Sequence, residues 1–291
     1  MGKRGRKKGY VRQAPVKQRR SLTPIWIVVA VVGAMVAFFL GRGSGGGGGE
    51  GGGSAASIAL VTSVSGATLD TIGASPQTNV AGVKLLPEGQ PPIEESGLPV
   101  VTYIGAEYCP FCAAERWPMV VALSRFGTFS DLTSTVSAPR PEVFPETPTL
   151  TFHESSYTSD YLVFSSVETA TNNPSVNGGY TPLGRPTAQQ QRLFDLYNTE
   201  QFSGSNGGIP FILMGNRYVW VGATFDPGIL GGLTFDEIAA ALSDTESDVG
   251  KAIGGSANLI TAMICTLTGD QPGDVCGASG VVAAKALLPT A

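Results

Sequence analysis

The sequence is short of charge. Only 14% of its 291 residues are Asp, Glu, Lys or Arg, against about 25% in an ordinary globular chain. There is one histidine, His153, and there are four cysteines. So few imidazoles and thiols leave little material for a metal centre, and neither a metal nor an organic cofactor is expected. Acid is missing altogether before Glu50, whereas nine of the 19 basic residues fall within residues 1–20. From residue 41 onward ten basic residues face 23 acidic ones, a net of −13. That balance argues against nucleic acid as a partner. Disorder throughout is excluded by a hydrophobic content of 42%, enough to build a core. The 39 glycines and 20 prolines point to a loop-rich exterior.

Residues 24–40, PIWIVVAVVGAMVAFFL, carry no charge. Counted from Leu22 the run spans about 28 Å as a helix, close to the ~30 Å hydrocarbon core of a bilayer. Trp26 stands near one end, where an amphipathic ring suits the interface. A cleavable signal has a shorter apolar core, about 7–15 residues, so the run reads as an uncleaved transmembrane helix. Lys3, Arg4, Arg6, Lys7, Lys8, Arg12, Lys17, Arg19 and Arg20 precede it, and only Arg42 closely follows. The positive-inside rule puts residues 1–23 in the cytoplasm and the remainder outside, on a single-pass anchor in the cell membrane. Residues 41–57 are almost all Gly, Ser and Ala and read as a flexible tether. An extracytoplasmic domain is expected over 58–291.

Within that domain, Leu98–Ile104 (LPVVTYI) is an apolar, β-branched run suited to a buried strand. It leads into Cys109-Pro110-Phe111-Cys112. The following AAERWPMVVALSRFG has helical spacing of apolar residues, with Pro110 fitting the first turn, Pro118 expected to kink the helix and Gly127 ending it. A short strand is expected near 132–138, others at Thr149–His153 and Tyr161–Val167, and a loop over 171–186. Residues 187–202 read as a helix. Ile209–Met214 and Arg217–Val221 read as a hairpin. Helices are expected at 234–243, with Thr234 and Glu237 at capping-box spacing, and at 248–266.

The order strand, CxxC, helix, long insertion, Ile-Pro strand, strand, helix is that of a thioredoxin-like α/β fold with a large insertion. A cysteine at a helix N-terminus has its thiolate stabilised by the helix dipole and by unpaired N–H groups. A cysteine three residues on can close a small disulfide with it. A cis peptide at Ile209-Pro210, which for X–Pro costs only about 0.5–1 kcal/mol, would leave the preceding backbone free to pair with a bound polypeptide. CxxC by itself also suits zinc, haem or chance. Zinc needs two further ligands, and the spacing of Cys265 and Cys276 is wrong for it. Covalent haem needs His at 113, where Ala113 stands. Cys265 and Cys276 flank a turn-rich loop and, outside the cytoplasm, are expected to form a structural disulfide.

GAEYCPFCAAERW, VALSRFGTF, TFHESSYTSDYLVFSSVET, GIPFILMGNRY and ANLITAMICTLTGDQPGDVC together resemble the DUF929 family, over about residues 60–280. That family is similar to thioredoxin-fold proteins. The resemblance implies the fold and the two cysteine pairs, and no activity.

Two functions fit. In one, the chain is a membrane-anchored thiol–disulfide oxidoreductase acting on protein thiols or disulfides. Cys109 is then the nucleophile and Cys112 the resolving thiol, and Ile209 with Pro210 holds the substrate. In the other, the chain is a non-catalytic accessory subunit of a membrane protein complex, and the CPFC pair is a structural disulfide. Glu107 reads as a solvated loop acid, His153 as filler, and Glu115 with Arg116 as an exposed ion pair on the first helical turns, without a catalytic role.

Overall fold

The computed structural model describes residues 52–290. The basic segment 1–23, the transmembrane helix 24–40 and most of the tether lie outside the described residues. Among the described residues no single helix is long and apolar enough to cross a membrane. One bent pair of helices, α1 (Ala55–Thr62) and α2 (Gly66–Ile72), passes that test jointly across a 64° bend. Val61 and Leu69 of this pair are sunk in the core.

The domain is mixed α/β, built on a central mixed sheet. Its strands are β1 (Lys84–Leu85), β2 (Glu94–Glu95), β3 (Leu98–Gly105), β8 (Val163–Glu168), β11 (Phe211–Met214) and β12 (Tyr218–Val221). Four further strands of the intervening region form two small antiparallel pairs, β4 (Gly127–Ser130) with β7 (Ser156–Ser159) and β5 (Thr133–Val136) with β6 (Pro148–Thr151). The remaining pair, β9 (Ala170–Pro174) with β10 (Tyr180–Pro182), is also antiparallel.

The third strand is the sheet's axis. Along one edge it pairs antiparallel with β11, Val101 opposite Met214 and Ile104 opposite Phe211. Along the other it pairs parallel with β8, from Val100–Val163 to Gly105–Glu168. Strands covered on both faces lose polar alternation, and β3 is buried from Val100 to its end. Period-2 geometry still sorts its side chains. Val101 and Tyr103 join Ile212, Met214 and Trp220 in one core, while Ile104 joins Phe211, Leu213 and Val219 in another.

Helices cover both faces. The first is covered by α3 (Pro110–Leu123), and α6 (Asp248–Leu267) packs against α3. The second is covered by α4 (Ala188–Tyr197), whose Phe194 meets Phe211 edge-on at 5.3 Å. The short helix α5 (Phe235–Ala241) holds Thr234 and Glu237 in a reciprocal capping box. After α6 the chain adds α7 (Gly273–Cys276) and α8 (Ser279–Lys285).

Several sequence expectations need correction. The last residues of the expected tether are folded, because Ser54 caps α1 through the Ser57 N–H. The stretch 171–186 carries the β9–β10 hairpin in place of a loop. The helix expected over 187–202 stops at Tyr197, where Asn198 caps it. Gly127 ends no helix and begins β4.

Cys265 and Cys276 are joined, with Cα atoms 5.6 Å apart, and tie the end of α6 to α7. Closing so short a loop contributes about 2.5–3 kcal/mol by the chain-entropy model. Cys276→Ser should therefore lower unfolding stability by about that amount in a non-reducing urea titration.

Candidate functional site

The third strand ends at Gly105, and five residues later Pro110 starts α3. Cys109 is the N-cap. Its sulfur accepts the Cys112 N–H at 3.4 Å and, as a thiol, donates to the Ile209 carbonyl at 3.6 Å. The Ile209-Pro210 peptide is cis. The structure thus brings Cys109, Cys112, Ile209 and Pro210 together at one end of the sheet. The two cysteines are unbonded. Cys109 is 6% exposed and Cys112 fully buried.

Position separates the two thiols chemically. A hydrogen bond from the Cys112 thiol lowers the pKa of Cys109, and the Cys112 and Phe111 amides and the Arg116 charge lower it further. Together they outweigh its burial. Burial pushes the Cys112 thiol well above its ordinary value, and its bond to Cys109 adds to the rise. Helix N-terminal amides favour a thiolate at the first position and leave the second protonated. A thiolate forms more readily at Cys109.

Aromatic pairs flank the sulfurs. Tyr108 stacks on Tyr180 of β10 at 4.1 Å, and the Tyr180 hydroxyl donates to Glu142 at 2.8 Å. Phe111, 37% exposed, meets Phe144 edge-on at 5.8 Å. These last two line a cleft of about 440 Å³ with Gln77, Ala223, Phe225 and Asp226. A larger cavity, about 740 Å³, lies at the turn of the β11–β12 hairpin, at the end of β11 opposite the cysteines.

The expected exposed Glu115–Arg116 pair does not exist. Both residues are fully buried, and they turn to different partners. Helix α3 is apolar almost all round, so it has no solvent face to carry them. Arg116 forms a two-pronged ion pair with Glu168 of β8, Nε to Oε1 and Nη2 to Oε2, both at 2.8 Å, and Nη2 also donates to the Ala106 carbonyl. The Glu115 carboxylate accepts from Trp220 Nε1 at 3.1 Å and from the Thr224 N–H and hydroxyl at 2.7 and 2.8 Å. Burial raises its pKa to about 8 in spite of those three bonds. Glu107 is half-buried and accepts a hydrogen bond from Thr151. His153 lies 3.8 Å from Glu154. Among the described residues no cluster of three or more His, Cys, Asp or Glu side chains could hold a metal.

Sequence reasoning put Glu115 and Arg116 on the surface and missed the pairing of Arg116 with Glu168. One signal was present: two charges inside AAERWPMVVAL, a segment too apolar to have a wet face.

The described residues therefore define a mixed α/β domain with a CxxC dithiol at the head of a buried helix. A family model, Domain of unknown function (DUF929), matches residues 90–266, more than half of the chain, and the chain belongs to the DUF929 family. No curated protein matches it, and no solved structure does. The apolar run near the N-terminus and the Cys265–Cys276 disulfide suggest secretion or a membrane anchor.

Glu115 makes stability depend on pH. Folded, it keeps its proton up to about pH 8; unfolded, it loses it near its ordinary 4.5. Its contribution is complete below the unfolded value and is lost as pH rises through the folded one. Urea midpoints should fall across that window, and Glu115→Gln, uncharged throughout, should flatten the fall.

Proposed function

We propose that this chain is a membrane-anchored, outward-facing thiol–disulfide oxidoreductase of thioredoxin-like fold. The observation that carries the reading is Cys109, capping its helix with its sulfur 3.6 Å from the carbonyl that precedes a cis proline. The architecture supports it: a strand, a CxxC helix, a parallel strand, a helix, a cis-Pro hairpin and a closing helix, with sheet order β8-β3-β11-β12. The anchor rests on the uncharged run 24–40 and on the nine basic residues before it, which by the positive-inside rule support an outward-facing domain.

The chemistry follows from the asymmetry of the thiols. The Cys109 thiolate attacks one sulfur of a client disulfide. A Cys109–client S–S bond forms, and the other client sulfur leaves as a thiolate. Cys112, once deprotonated, attacks Cys109; the Cys109–Cys112 bond forms and the second client sulfur leaves. The client gains two electrons and the dithiol becomes a disulfide. Run backward, the same steps oxidise a client dithiol. The Ile209 backbone, beside the sulfur, is placed to pair with an extended client segment.

Cys112→Ser should accumulate mixed disulfides with client polypeptides on the outer face of the membrane, seen as bands that reductant releases on gels. Cys109→Ser should accumulate none. A dithiol that traps nothing and whose potential lies below about −300 mV would be a structural staple, and the chain would then be an accessory subunit of a membrane complex.

A further inference from the structure

The cavity of about 740 Å³ at the turn of the β11–β12 hairpin is far larger than a packing void. Small-molecule sites occupy about 300–1,000 Å³. Four segments distant in sequence wall it, within 85–92, 215–218, 266–267 and 285–290. Polar contacts lock those walls together. The Leu86 N–H donates to the Arg217 carbonyl at 2.8 Å, and Asn216 Nδ2 donates to the Pro91 carbonyl at 2.8 Å. Lys285 Nζ pairs with Asp270 at 2.6 Å, which ties α8 to the loop after α6.

The lining combines apolar surface with charge of both signs. Leu86, Tyr218, Leu267 and Leu288 supply the apolar part. The charged residues of the lining are Glu88, Arg217 and Lys285. Asp270 already answers Lys285. Glu88 and Arg217 are exposed, and neither enters an ion pair among the described residues, with each other or with any third group. The cavity therefore offers one uncommitted anion and one uncommitted cation.

Asn216 adds a directional group. It is only 8% exposed. A backbone carbonyl can only accept, so the Pro91 contact fixes which end of the amide is nitrogen. The other end, Oδ1, is buried with no hydrogen-bond partner among the described residues. An acceptor buried without a donor is costly, and a donor seated against the hairpin turn would remove that cost.

We propose that this cavity binds a small zwitterion with an apolar body, namely a short apolar peptide with both termini free. Its carboxylate meets the Arg217 guanidinium, whose planar fork suits a carboxylate. Its ammonium group has three donors and divides them between Glu88 and Asn216 Oδ1. Its side chains lie against Leu86, Leu267 and Leu288. The competing ligand classes fit less well. A nucleotide brings several negative charges to one free cation and meets Glu88. A simple carboxylate leaves Glu88 and Asn216 unanswered, and a simple amine leaves Arg217 unanswered. The site lies at the end of β11 opposite the cysteines and does not rest on the oxidoreductase reading.

Isothermal titration calorimetry of the full-length chain in detergent, with the dipeptide Leu-Leu as probe, tests the proposal. Leu-Leu should bind. Its N-acetylated and C-amidated forms should each bind about tenfold more weakly, because each cap removes one charge-assisted contact. Arg217→Met and Glu88→Gln change exposed side chains and keep the backbone bonds of the walls. Each should weaken Leu-Leu about tenfold, and Arg217→Met should no longer distinguish Leu-Leu from its amide. Thr266→Trp, which fills the cavity from α6, should abolish binding. Absence of Leu-Leu binding at millimolar concentration would overturn the proposal. So would equal binding of the capped and free peptides to the unmodified chain, a comparison that needs no variant to fold. Unchanged binding in variants with the wild-type circular dichroism spectrum would place the peptide elsewhere and overturn it too.

Discussion

A helix buried on every side must have each of its polar and charged side chains answered inside the core, and this constraint organises the domain. Helix α3 is buried from Cys112 to Leu123, yet it carries a glutamate and an arginine in succession. Arg116 reaches across to β8, and Glu115 to Trp220 on β12 and to Thr224 beyond it. Trp117 next to them donates to the Pro148 carbonyl of β6. Three consecutive side chains thus bind one helical turn to three different strands or their flanks. Removing one member of the Arg116–Glu168 pair costs about 3–5 kcal/mol by leaving the other charge unanswered, so the turn just after the dithiol is tied firmly to β8.

That firmness bears on the cysteines. The N-cap geometry of Cys109 needs its own turn to stay in register with the Ile209 carbonyl, which belongs to a different segment. The hairpin is fixed by its pairing with β3 and by the Gly222 N–H, which donates to the Pro210 carbonyl. Helix and hairpin are therefore both referenced to the same central strand. Their meeting at 3.6 Å follows from the strand's position and needs no direct bridge between the loops.

Much of this was legible in the chain. The β3 run has no polar alternation, and CPFC with Pro110 marks a helix start. The apolar pairs around Gly215-Asn216 give a hairpin, whose turn residues take φ of 54° and 63°, as a tight turn between twisted strands requires. What escaped has physical reasons. Helices α1 and α2 are short, rich in Ser, Thr and Ala, and capped by Ser54 and Ser65 within a polar stretch. Their stability comes from packing, as where Asn258 of α6 donates to the Leu69 and Gly73 carbonyls. Strands β4 and β7 are Ser/Thr-rich and pair across a long intervening stretch, which no local pattern records, while the β9–β10 hairpin is built from polar residues without apolar alternation. The pairing of Arg116 with Glu168 spans 52 residues, and only the parallel contact of β3 with β8 brings it about.

The intervening region does more than connect. The loop after β5 returns to the dithiol, where the Ala138 N–H donates to the Tyr108 carbonyl, and it supplies Glu142 and Phe144 to the two aromatic pairs. The β9–β10 hairpin supplies Tyr180, and the Glu107 N–H donates to the Ala170 carbonyl at its base. Segments from both arms therefore wall a sulfur that is only 6% exposed. On the proposed reading such a wall selects by shape: a folded client surface cannot reach Cys109, whereas an extended segment can lie along Ile209. The cleft beside Phe111 is completed by residues 76–79, which precede the family match at 90–266. On the same reading, Cys109 and Cys112 lie within the matched region, and residues 76–79 before it line the cleft beside them.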